Sequence, residues 1–253
     1  MIPLAVQLYS LREQAQNDLV GVLKAVAAMG YRGVELAGLY NRKPAELRRL
    51  IEDCGLVICA THGPWPTRDT VHAAADTVRA LGTDTLVTGF GPDRFQSADK
   101  IRATAEELHA VAEPLMAAGL TVALHNHHWE FERVEGRLAY DLFVELCPQV
   151  KLEVDVYWAA NFGACNPAEV VARHRARTIL LHLKDGPLVR NAPMTAVGAG
   201  RVDIPAVVRA ADPAVLRWLI VELDTCATDM TAAVAASYRY LVRAGLGAGT
   251  RPA

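Results

Sequence analysis

Eight short, apolar runs alternate with eight stretches of helical periodicity from one end of this 253-residue chain to the other, and that alternation restricts its fold more than any other feature. The candidate strands are Leu4–Tyr9, Gly33–Leu36, Leu56–Thr61, Thr85–Thr88, Thr121–His125, Lys151–Val154, Ile179–Leu183 and Trp218–Leu223. The helical stretches are Asp18–Met29, Pro44–Cys54, Thr70–Leu81, Ala98–Ala118, Ala139–Leu146, Pro167–His174, Ile204–Ala211 and Met230–Ala244. Strands joined by crossovers of this length pair in parallel, with the helices covering the sheet. The punctuation agrees. Met29-Gly30 and Ala118-Gly119 end helices on a residue that enters the left-handed region cheaply, while Pro44 and Pro167 suit a first helical turn.

A parallel sheet can stay open or close on itself. An open doubly wound sheet normally places a glycine-rich phosphate loop after its first strand. Here the first strand runs into Gln7-Leu8-Tyr9-Ser10-Leu11-Arg12. A closed barrel typically needs roughly 250 residues. The reading is an α/β fold, a single-domain (β/α)8 TIM barrel spanning residues 1–253, with 245–253 as a loose tail.

Hydrophobic residues make up 52% of the chain and charged residues 21%, enough apolar material for a large core and too little charge for disorder. A formal net charge of -2 with scattered basic residues offers no stripe for a nucleic-acid backbone and no polybasic arm for a membrane, so the expected partner is a small molecule. A homo-oligomer is compatible with this reading. No apolar run reaches membrane-span length and Met1-Ile2-Pro3-Leu4 enters a strand-like run without a charged n-region, from which a cytoplasmic protein is expected. The five cysteines are odd in number and lack Cys-x-x-Cys spacing, which argues against a disulfide frame or a zinc knuckle. Cys59 and Cys226 read as small buried hydrophobes.

In a barrel of this kind the reactive groups project from the C-terminal ends of the strands. Those ends are polar here: Gln7, Glu35, Thr61-His62-Gly63, His125-Asn126-His127, Glu153-Val154-Asp155, His182-Leu183-Lys184-Asp185 and Glu222-Leu223-Asp224. One strand-end His or Glu is ordinarily a satisfied structural group, but the set is different. His125, Asp155, His182 and Glu222 each follow an apolar run, so side-chain alternation brings four metal-type groups together from four successive strands. Burying such charges without a counter-ion would cost several kcal/mol each, which argues for a bound cation. Imidazole and carboxylate without thiolate suit Mn2+, Fe2+, Co2+, Ni2+ or Zn2+, and suit Mg2+ less because of the imidazoles.

Five motifs in order extend the argument: His125-Asn126-His127-His128-Trp129-Glu130-Phe131, Glu153-Val154-Asp155-Val156-Tyr157-Trp158, Leu181-His182-Leu183-Lys184-Asp185-Gly186, Val197-Gly198-Ala199-Gly200 and Val221-Glu222-Leu223-Asp224-Thr225. Over nearly its whole length the chain resembles the sugar phosphate isomerase/epimerase superfamily, the xylose isomerase-like TIM barrels that include an AP endonuclease family 2 branch. The resemblance implies one Mn2+-like ion held by a carboxylate after strand five, an Asp after strand six, a His after strand seven and a Glu after strand eight. Asp155, His182 and Glu222 match directly. The strand-five position reads His125, with Glu130 five residues later, so two arrangements are open: Glu130 folds back onto the ion, or His125 ligates while Glu130 meets substrate. The endonuclease branch carries a histidine three residues after the strand-six Asp. That position is Trp158 here, which disfavours DNA repair and a simple ketohexose 3-epimerase. The His-Asn-His-x-x-Glu-Phe variant looks like the subgroup acting on oxidised sugars such as 3-keto-glycosides.

The implied activity is a metal-dependent isomerase or epimerase that works on a keto-sugar through a metal-stabilised enediolate. The alternatives are a lyase or dehydratase that eliminates from a 3-keto-glycoside or keto-inositol, and a silent sugar-binding barrel. Glu222 is a base candidate, and His127 is the proton-transfer or substrate-contact candidate because it lies nearer the mouth than His125. Lys184 either serves as an acid or pairs with Asp185 or Glu153. Glu35, His62, Trp158 and Arg201 are expected substrate contacts, and Trp65, Trp129 and Tyr157 also fall in strand-end loops where rings stack on sugars or pack.

Overall fold

The computed structural model describes residues 1–63 and 65–251. Eight parallel strands form one closed barrel: β1 (Leu4–Gln7), β2 (Gly33–Leu36), β3 (Val57–His62), β4 (Thr85–Thr88), β5 (Thr121–His125), β6 (Lys151–Asp155), β7 (Thr178–Leu183) and β8 (Trp218–Val221). They pair in sequence order and β8 returns to β1, with Ala5 opposite Ile220. The expected TIM barrel is therefore the observed one. β1 is shorter than its apolar run because Leu8–Leu11 winds into a 3-10 turn, where the Gln7 side chain accepts the Tyr9 N–H at 3.1 Å.

The covering helices are α1 (Arg12–Met29), α2 (Pro44–Asp53), α3 (Val71–Ala80), α4 (Ala98–Ala117), α5 (Ala139–Leu146), α6 (Pro167–His174), α7 (Ile204–Ala210) and α8 (Met230–Arg243). Ser97, Asp203 and Asp229 cap α4, α7 and α8 by accepting N–H bonds from Lys100, Ala206 and Ala232. Gly30 (φ 108°) and Gly119 (φ 85°) end α1 and α4 in the left-handed region. α1 starts before the expected Asp18 but kinks there, and Asp18 Oδ1 accepts the Gly21 N–H at 2.8 Å, so the expected start survives as an internal cap.

Alternation along the strands builds the interior in layers. Ala5, Ala60, Ala123, Leu180 and Ile220 pack inside the barrel, each two residues before Gln7, His62, His125, His182 or Glu222. The small apolar plug leaves room above it for a polar layer. Leu4, Val6, Leu36, Val122, Leu152 and Val221 belong to the larger core shared with the helices.

Two sequence expectations are corrected. The tail expected to be loose is tied down as far as Arg251: Ala248 bonds with Leu4 and Ile2, Thr250 N–H reaches Gly30, and the Tyr238 hydroxyl donates to the Arg251 carbonyl. Pro252 and Ala253 lie outside the described residues. Cys59 is buried as expected, whereas Cys226 is half-buried because β8 ends at Val221 and Cys226 falls in the following loop. Among the described residues no helix is long and apolar enough to cross a membrane.

Candidate active site

The C-terminal mouth of the barrel opens into a cavity of about 650 Å³ whose lining includes His62, His125, His127, Trp129, Trp158, Lys184, Glu222 and Asp224. Two overlapping groups beneath it each hold four ligand-type side chains with all donor atoms within 4.8 Å of one another: His125, Asp155, His182 and Glu222, and His62, His125, Glu153 and His182. Strand register explains the convergence. His125 stands opposite Glu153 in the β5–β6 pair, and a register shift at Leu152/Glu153 sets Asp155 opposite His182 in the β6–β7 pair.

The deeper layer is a carboxylate–imidazole network. Glu153 Oε2 is 2.8 Å from His62 Nε2 and 2.9 Å from His125 Nδ1, and Glu153 Oε1 is 3.2 Å from His182 Nε2. Glu35 Oε2 accepts from Gln7 at 2.8 Å and is 2.5 Å from His182 Nε2. In the upper layer His182 Nδ1 is 2.7 Å from Glu222 Oε2. Lys184 Nζ lies 2.9 Å from Glu222, 3.0 Å from Asp155 and 2.9 Å from Asp224. Trp158 clasps two of these acids, its backbone N–H on Asp155 Oδ1 at 2.9 Å and its ring N–H on Asp224 Oδ2 at 3.1 Å.

Five carboxylates against one ammonium set the electrostatics. Burial alone would raise Glu35, but His62 and His182 hold it well below the usual carboxylate range, as Lys184 and His182 do for Glu222. Burial raises Asp155, with Lys184 and His182 opposing it only in part. Burial disfavours a charged His62, yet Glu35 and Glu153 push its pKa up to about 10. The same contest raises His182, where Glu153, Glu35 and Glu222 prevail. At His125 burial wins and the ring is held neutral. The buried oxygens Glu35 Oε1, Glu153 Oε1 and Asp155 Oδ2 accept no well-aligned hydrogen bond, the last two meeting only His182 at 3.2 Å and Lys184 at 3.0 Å as ion pairs. Buried carboxylates that find only ion-pair partners, together with imidazole nitrogens, make a mixed N/O donor set that fits a divalent cation.

The structure separates the expected site residues. His125, Asp155, His182 and Glu222 come together; of the two strand-five alternatives, Glu130 stands outside both groups. It is fully buried, its Oε2 accepts the His127 N–H at 2.9 Å, and its Oε1 lies 3.8 Å from His127 Nδ1. His127 faces the cavity, stacked on Trp129 at 4.2 Å between ring centroids. The close approach of Gly89 makes room for it, since a Cβ there would lie 3.2 Å from the His127 ring. His62 and Trp158 line the cavity, but Glu35 is buried beneath it. Trp65 and Tyr157 pack against the core.

Arg201 does not reach the cavity. It is exposed, and the glycine turn before it wraps a carboxylate instead: Asp185 accepts N–H bonds from Gly186, Gly198, Gly200 and Val202 at 2.8–3.1 Å. Asp185 is thus committed to backbone, and Lys184 pairs with Asp155, Glu222 and Asp224 rather than with the expected Asp185 or Glu153. Glu153 and Asp224 were not among the expected site residues. Their signal is spacing: each sits two residues from Asp155 or Glu222 and so shares its inward face.

Comparison with known proteins agrees with this fold. No curated protein matches the chain. A sugar phosphate isomerase/epimerase from Parabacteroides distasonis superposes with a TM-score of 0.82 at 24% identity, covering 98% of this chain and 96% of that one. A probable 3-DHS dehydratase, AsbF, from Bacillus anthracis gives a TM-score of 0.71 at 12% identity, covering 95% and 98%. An AP endonuclease, family 2, from Brucella melitensis gives 0.71 at 16% identity, covering 92% and 97%. These likenesses are in fold. The family model for xylose isomerase-like TIM barrels matches residues 23–242, and the chain belongs to that family.

Proposed function

We propose that the chain is a divalent-metal-dependent isomerase or epimerase of a keto-sugar or sugar derivative, with one ion, Mn2+ by preference, held by His125, Asp155, His182 and Glu222. The observation that carries this reading is the gathering of those four side chains at a cavity that His125 and Glu222 line together with Trp129 and Trp158. A divalent ion there would supply positive charge next to a substrate carbonyl. The proton work falls to the chain. His127, outside the ligand set and open to the cavity, is placed to take a proton from the carbon α to that carbonyl and return it. Glu222 lines the same cavity and is the second base candidate. The partner is a small-molecule sugar, and with a net charge of -2 the chain is not suited to nucleic acid or membrane surfaces.

A lyase or dehydratase is the second reading, favoured by Lys184, a buried ammonium that faces the cavity and is placed to protonate a leaving group. The named dehydratase among the fold neighbours points the same way. A screen of 3-keto-glycosides and free ketoses with Mn2+ in D2O tests both readings: epimerisation or isomerisation returns a solvent deuteron to the α carbon, whereas elimination loses the α proton with the leaving group and yields an unsaturated product. Product analysis then separates epimer from eliminated product. Epimerised or isomerised product without deuterium at any position, or an Asp155→Ala variant with unchanged metal content, would overturn the proposal.

A further inference from the structure

The two four-residue groups share His125 and His182, and a neutral imidazole has one N–H and one lone pair. Each shared ring sends its two nitrogens to different layers. His125 turns Nδ1 to Glu153 at 2.9 Å and Nε2 toward Asp155 at 4.0 Å. His182 turns Nε2 to Glu35 at 2.5 Å and to Glu153 at 3.2 Å, and Nδ1 to Glu222 at 2.7 Å. Ionised carboxylates only accept hydrogen bonds, so whichever layer takes the N–H leaves the lone pairs to the other.

We propose that Glu153, with Glu35 beside it, is the positioning residue that sets these tautomers, placing the N–H on His125 Nδ1 and His182 Nε2 and aiming His125 Nε2 and His182 Nδ1 at the cation. The deeper group is then the hydrogen-bonded support of one ion and not a second metal position. The assignment rests on the metal reading above. Ligand charge decides between the layers: the upper group offers the ion two carboxylates, Asp155 and Glu222, whereas the deeper group offers Glu153 alone. Glu153 is also the carboxylate that three imidazoles share, those of His62, His125 and His182. Ligand histidines are ordinarily oriented by a carboxylate on their other nitrogen.

The test is a long-range 1H–15N correlation spectrum of 15N-histidine-labelled protein loaded with Zn2+, which identifies each metal-bound nitrogen, together with metal titrations of Glu153→Gln and Glu153→Asp. The expected result is one Zn2+ per chain on His125 Nε2 and His182 Nδ1. Glu153→Gln should bind about 10–100-fold more weakly with an unchanged fold by circular dichroism, and Glu153→Asp should recover part of the loss. Binding through the opposite nitrogens, a second equivalent lost in Glu153→Gln, or undiminished affinity in that variant overturns the assignment alone. Wild-type protein that takes up no Zn2+ or Mn2+ overturns the metal reading as well. If Glu153→Gln does not fold, the wild-type spectrum decides.

Discussion

Lys184 Nζ lies 3.0 Å from Asp155 Oδ2, and the same ammonium contacts Glu222 at 2.9 Å. A lysine is therefore part of the counter-charge of the proposed metal site, and it is itself 2% exposed. Its position two residues after His182 on the same inward face is what brings it there.

Replacing this lysine separates its electrostatic role from the ion's. Lys184→Met leaves three acids without their ammonium, and breaking a buried pair costs about 3–5 kcal/mol. In chelator, urea unfolding should show a loss of that order, and Mn2+ should restore much of it by binding the folded state. A variant as stable as wild type in chelator would refute this account.

His127 is expected to matter for turnover and not for metal retention. It stands on the cavity side of His125, with ring centroids 5.0 Å apart, and outside both ligand groups. His127→Ala should keep its metal by elemental analysis and its fold by circular dichroism while losing at least about a hundredfold in kcat. Normal turnover, or lost metal, would show that the division of roles is wrong.

The raised His62 pKa predicts an alkaline stability loss in ion-free protein. A folded pKa of about 10 against an unfolded value of roughly 6.5 means that the charged ring contributes stability fully below pH 6.5, and the contribution fades as pH rises toward 10. Thermal melts in chelator should show Tm falling across that window, and His62→Gln should flatten the fall. An unchanged slope in the variant would assign the effect to another group.

Gly200 is expected to tolerate no side chain. A Cβ there would lie 2.1 Å from Asp185 Oδ1 and 2.3 Å from the Gly186 nitrogen, so Gly200→Ala must break part of the backbone cradle around Asp185. The expected cost is about 1–3 kcal/mol by denaturant unfolding, and a neutral substitution would show that the turn relaxes freely.

Much of the site was legible because strand ends in a parallel barrel share one mouth. Asp155, His182 and Glu222 could be placed from their motifs, and His62 and Trp158 do line the cavity. Arg201 stands outside the cavity lining because Gly198-Ala199-Gly200, which reads in sequence as a turn that could approach substrate or as a plain turn, wraps Asp185. The string of residues does not show which carboxylate a glycine turn will meet. Glu130 was ambiguous for a related reason: it lies five positions beyond His125 in a loop, and only the folded loop shows its carboxylate turned onto His127.

The sequence by itself determined the barrel and the inward face of each strand, because hydrophobic period and helix punctuation are local properties of the chain. It also determined that imidazoles and carboxylates would meet at one end of the barrel. Tertiary structure alone decided which nitrogen meets which oxygen. Strand stagger, the register shift at Leu152/Glu153 and the depth of each layer set Glu153 among three imidazoles and Lys184 among three acids, relations between residues 28 to 91 positions apart that no local pattern encodes.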